Sequence, residues 1–161
     1  MAAIGRSKVS CIVPLAVLLC QVCFGQAPES ESDKQSAQVR RVLGNLADAL
    51  TAGNVSDAMD QFEKGLPDYD KLNNYFHGLV DAFYVTNEIE VLDENDLPGN
   101  TKLTLRWALT LTDLATNYTE DRSAELSVRL AGKGGKWRIA DLSPITLFDP
   151  ARGSGGSRRK P

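Results

Sequence analysis

Between residues 36 and 83 the apolar positions recur with a period near 3.6, and from Val85 onward the period is 2. Val39, Val42, Leu43, Leu46 and Leu50 form one helical stripe, with Arg40 and Arg41 off it, and Gly53 marks the stop. Ser56 is placed to cap a short second helix carrying Ala58, Met59 and Phe62, and Pro67 then breaks the chain. With Asp70 as cap, Leu72, Tyr75, Phe76, Leu79, Val80 and Phe83 predict a third amphipathic helix.

In the second half Val85, Asn87, Ile89 and Val91 alternate with Thr86, Glu88 and Glu90, which predicts a strand. Leu97-Pro98-Gly99-Asn100 reads as a turn. Leu103, Leu105, Trp107, Leu109 and Leu111 alternate with Thr104, Arg106, Ala108, Thr110 and Thr112, the pattern of a long strand with one oily and one wet face. Ala124, Leu126, Val128 and Leu130 make the next strand, Gly132-Lys133-Gly134-Gly135 a tight hairpin, and Trp137 and Ile139 the start of the strand after it. Ile145, Leu147 and Phe148 close the unit before Pro150. Three helices followed by about four antiparallel strands is an α+β arrangement, with the helices on one sheet face.

The flanks have neither period. Arg6 and Lys8, the apolar run Cys11 to Cys20 and the small-residue exit ending at Gly25 follow the order of a secretory signal, so 1–25 is expected to be cleaved. The run is shorter than the about 20 apolar residues of a spanning helix and contains Pro14, so no stable membrane span is expected after cleavage. A lipidated cysteine normally follows a small residue, whereas Leu19 and Val22 precede Cys20 and Cys23. Residues 26–35 read as a flexible lead-in, 36–150 as the domain, and 151–161 as a flexible basic tail ending in Arg158, Arg159 and Lys160. The expected location is the periplasm or the outside of the cell.

Composition narrows the chemistry. All three cysteines lie within 1–25, so the exported part has no disulfide, thiolate nucleophile or cysteine-bound metal. Region 36–150 carries 18 acidic against 11 basic residues, a net charge of −7, which disfavours nucleic acid and anionic lipid. No phosphate loop, nucleophile elbow or metal-ligand spacing occurs, and no cofactor is expected.

The helix, glycine turn and short helix of Ala49-Leu50-Thr51-Ala52-Gly53-Asn54-Val55-Ser56-Asp57-Ala58 resemble the opening of the nuclear transport factor 2-like superfamily, which includes ketosteroid isomerases and polyketide cyclases. Leu103 to Leu111 resembles its long central strand, and Gly135-Lys136-Trp137-Arg138-Ile139 its penultimate hairpin arm. The resemblance implies a curved sheet wrapped around the helices as a cone, and in many members a pocket within it. It carries over no catalytic residue, because the superfamily holds enzymes, binders and structural parts alike.

The candidate residues are few. His77, the single histidine, falls off the apolar stripe with Asp81 four residues on, which fits a surface pair better than a catalytic one. A lone histidine also argues against a histidine-based metal site. Asp113 continues the apolar face of its strand, and Asp141 that of Trp137 and Ile139. In an apolar cone such carboxyls would have raised pKa values and could move protons; otherwise they mark where the strands meet water. Tyr69, Tyr75, Trp107, Tyr118 and Trp137 are candidates to line a pocket, with core packing the alternative for the tryptophans. Asn54-Val55-Ser56 and Asn117-Tyr118-Thr119 fit the glycosylation acceptor pattern. The leading expectation is a non-enzymatic exported domain binding a small apolar ligand in its cone or a protein partner. The alternatives are an isomerase or cyclase using Asp113 or Asp141, and a structural part of an envelope or secretion assembly. A homodimer is expected through the polar sheet face with Thr104, Arg106, Thr110, Ser127 and Arg129.

Overall fold

The computed structural model describes residues 31–153 apart from Gly134. The expected signal segment 1–25, residues 26–30 of the lead-in and residues 154–161 of the tail lie outside the described residues. Helix α1 spans Glu31–Thr51, α2 Val55–Met59 and α3 Tyr69–Ala82. Strands β1 (Phe83–Leu97), β2 (Asn100–Asp113), β3 (Thr119–Lys133) and β4 (Lys136–Ser143) follow, then 3-10 turns at Ile145–Phe148 and Pro150–Gly153. The order matches the α+β expectation.

The apolar stripe of α1 is buried from Val39 to Leu50. Gly53, at φ +70°, ends the helix as a Schellman motif: its N–H donates to Leu50 O (3.1 Å) and that of Asn54 to Ala49 O (2.8 Å). Three local expectations are corrected. The helix starts at Glu31, so residues 31–35 are ordered helix rather than lead-in, and the Gln35 amide donates to Leu97 O, Asn100 O and Thr101 Oγ1 in the β1–β2 hairpin. The cap of α2 is Asn54, whose Oδ1 accepts from Asp57 N, not Ser56. Helix α3 begins one residue before Asp70 and has no side-chain cap bond.

The sheet is a meander, β1-β2-β3-β4, antiparallel throughout. Pro98 and Gly99 join β1 to β2, with Gly99 at the positive φ (+71°) that a type II turn needs at its second central residue. Leu103, Leu105, Trp107, Leu109 and Leu111 of β2 and Leu126, Val128 and Leu130 of β3 face the helices and are buried. The opposite face carries Lys102, Arg106 and Thr110 in water. A parallel bridge, Glu63 N to Ile139 O (2.9 Å) and Ile139 N to Gln61 O (2.8 Å), ties the segment after α2 to β4.

The space between helices and sheet is filled by aromatic rings. Phe148 stands edge-on to both Phe76 and Trp107, with centroids 5.2 Å apart in each pair, and Phe62 lies 6.0 Å from Phe76. All four side chains are fully buried.

Candidate functional site

The predicted acids take separate and non-convergent positions. Asp113 closes the β2–β3 turn. Its Oδ1 accepts from Thr116 N (2.7 Å), Ala115 N (2.9 Å) and Thr116 Oγ1 (2.9 Å). The Thr116 N–H, then its hydroxyl, hold this carboxyl below the usual carboxylate range, the opposite of the raised value a proton carrier in the cone would have. Strict alternation from Trp137 and Ile139 would turn Asp141 inward, the first of the two alternatives open to it. A bulge corrects this: Leu130 pairs with Ile139 but Arg129 pairs with Asp141, so Ala140 is the extra residue and Asp141 emerges exposed on the outer face. His77 and Asp81 are both exposed on α3.

The five aromatic candidates do not share one cavity. Trp107 is buried in the ring cluster and donates from Nε1 to Asn87 Oδ1 (3.0 Å). Tyr75, half-buried, donates from its hydroxyl to Asp149 Oδ2 (3.2 Å), and Tyr69 packs partly buried against the core. Trp137 lies half-buried over Gly132 across the β3–β4 pair. Tyr118 is 69% exposed.

A polar cluster went unread in the sequence. Arg122 is on the inner face of β3 and 7% exposed. Its Nε donates to Glu120 Oε1 (2.7 Å) and its Nη1 to Asp149 O (2.7 Å), while its Nη2 is buried without a hydrogen bond. Extending the Ala124, Leu126, Val128 and Leu130 phase two residues toward the N-terminus would have placed Arg122 inside. Through Asp149 O the pair is tied to the C-terminal turns, where Pro150 covers Gly78 of α3.

An apolar-lined groove lies between α1 and β1. It encloses about 380 Å³ and is lined by Arg40, Leu43, Gly44 and Ala47 of α1 and Asn87, Ile89 and Val91 of β1. Asn87 sets one end, donating from Nδ2 to Ala47 O and Thr51 Oγ1 (3.1 Å each). Gly44 keeps the floor low, since a Cβ there would have nothing within 4 Å. Among the described residues no group of three or more His, Cys, Asp or Glu could hold a metal ion, and no helix is long and apolar enough to cross a membrane.

The fold recurs in solved structures. A conserved protein from Planctomyces limnophilus superposes with a TM-score of 0.62 at 7% identity, over 68% of this chain and 93% of that one. A nuclear transport factor 2-like superfamily protein from Salmonella enterica gives 0.56 at 8% identity, over 69% and 89%. The fold is nuclear transport factor 2-like. A putative scytalone dehydratase from Novosphingobium aromaticivorans also shares it, with a TM-score of 0.61 at 7% identity over 68% of this chain and 81% of that one. No protein-family model and no curated protein matches the sequence. Likeness at these identities establishes the nuclear transport factor 2-like fold and carries no activity with it.

Proposed function

We propose that this nuclear transport factor 2-like domain is a non-enzymatic binding module, exported from the cytoplasm, which takes its partner in the groove between α1 and β1 rather than inside the cone. The carrying observation is the contrast between the two places. Phe62, Phe76, Trp107 and Phe148 fill the interior, whereas the α1–β1 groove is open, apolar-lined and fixed at one end by Asn87. Sites for partners are concave, mostly apolar and supplied with a few polar groups, here Arg40 and Asn87. The placement of Asp113 in a turn and Asp141 outside supports binding over proton transfer. A dimer through the outer sheet face, with Arg106 and Thr110, would leave this groove free.

The test is a titration of the full chain with anilinonaphthalenesulfonate, whose rings suit the apolar walls and whose sulfonate suits Arg40, followed by backbone amide shifts. The expected shifts centre on residues 43–47 and 87–91 and are lost in Gly44→Leu. Shifts centred on Trp107 and Phe148, or an unchanged response in Gly44→Leu, would return the binding site to the cone and overturn the reading.

A further inference from the structure

The groove has a second property that a small-molecule cleft would not need: one wall is an open sheet edge. Strand β1 pairs only with β2, so its other side is unpaired among the described residues. Fifteen residues make it long for an edge strand, and edges of this kind are templates for another extended chain. Over Asn87–Val91 it runs regularly, until the pairing skips Leu92 between Val91 and Asp93. Five residues of strand measure about 17 Å, room for a short segment before the bulge bends the edge away.

The two faces of that stretch differ. Toward the helices, Ile89 and Val91 stand beside Leu43 and Ala47 in the groove, with Val91 40% exposed. Toward water, Glu88 and Glu90 are exposed, and Glu90 is the partner of Arg106 (2.6 Å). The whole of β1 has five acidic residues, Glu88, Glu90, Asp93, Glu94 and Asp96, and no basic one. A chain added alongside would send alternate side chains into the groove and the others beside the glutamates.

We propose that β1 accepts an extended protein segment as a fifth strand, and that this segment alternates apolar with basic residues. The apolar ones cover Leu43, Ala47, Ile89 and Val91, and the basic ones sit next to Glu88 and Glu90. Main-chain hydrogen bonds to the free edge give affinity, the groove selects apolar residues at every second position, and the acidic strip selects basic ones between them. A second copy of this chain is the wrong partner for the edge, because two β1 strands would bring like charges together. This inference rests on the groove being the binding site and adds the chemistry of its occupant.

The experiment uses the full chain and a heptapeptide alternating lysine and valine, blocked at both ends, with affinity by calorimetry and site by amide hydrogen exchange. Slowed exchange in residues 87–91 is expected, with affinity about tenfold weaker for Glu88→Lys and falling as salt shortens the screening length. Lysine–serine and glutamate–valine peptides should each bind about tenfold more weakly than lysine–valine. Equal binding of the lysine–serine peptide, no protection of 87–91 at millimolar peptide, or a dimer protected at β1 without peptide would each overturn the proposal. If anilinonaphthalenesulfonate fills the groove and the lysine–valine peptide does not bind, strand addition fails while the groove reading stands. If neither binds, both fail.

Discussion

Two helical glycines should respond in opposite directions to the same substitution. Glycine within a helix costs about 0.5–1 kcal/mol relative to alanine, because it has more backbone freedom to lose. At Gly44 an added Cβ meets nothing within 4 Å, so Gly44→Ala should realise that gain in full. At Gly78 the same atom would lie 2.7 Å from Pro150 Cγ, nearer than real contacts allow, and a tight 3.2 Å from its Cβ. Relief requires the Pro150–Gly153 turn to lift from α3, and overpacking of this kind costs about 1–3 kcal/mol. Set against the helix gain, Gly78→Ala should be destabilised by about 1 kcal/mol. Urea unfolding of the full chain, followed by far-ultraviolet circular dichroism, measures both at once. The two variants should separate by about 2 kcal/mol with unchanged slopes. If Gly78→Ala is as stabilised as Gly44→Ala, the C-terminal turn does not press on α3 and the packing argument fails.

Three further outcomes follow from the site. Asp113→Asn should flatten the acid limb of stability. The carboxyl's folded pKa is lowered by Thr116, so its contribution is present above the unfolded value near pH 4 and is lost as pH falls through the folded value; unchanged curves below about pH 5 would contradict this. Arg122→Met should cost about 1–3 kcal/mol by leaving Glu120 and Asp149 O without their donor, and adding Glu120→Gln should recover part of it in a double-mutant cycle. Gly132→Ala places a Cβ 2.5 Å from Trp137 Cε2, so the indole must leave its seat, with a loss of about 1–3 kcal/mol and a red shift in tryptophan emission.

The parts legible in the sequence are those in which one face is buried over many residues. The stripes of α1 and α3 and the alternation of β2 and β3 repeat often enough to resist a single exception. What escaped depends on one residue at a time. The bulges at Leu92 and Ala140 change no composition, yet Ala140 sends Asp141 to water and Leu92 puts Glu94, opposite Leu103, on the helix-facing side. Arg122 escaped because a charge is read as surface by default, although its phase is that of Leu126. The start of α1 is supported by Gln35 reaching a hairpin 62 residues away, a contact without a local signal. The groove depends on the spacing between two elements, and Gly44 in mid-helix was its one trace.

The meander has a kinetic consequence. Every strand pair joins chain neighbours, so the whole sheet assembles through hairpins that close short loops at little entropic cost. Enclosure is different. The bridge from Gln61 and Glu63 to Ile139 and the ring contacts of Phe148 with Phe76 and Trp107 join segments roughly 40–80 residues apart. Contacts that form after the rate-limiting step act on unfolding and leave folding almost untouched. Truncation of Phe62 or Phe148 should therefore steepen the loss of the native state while the refolding limb of a chevron plot stays in place. On this account the aromatic plug sets the domain's lifetime once folded, and the hairpins set how fast it is made.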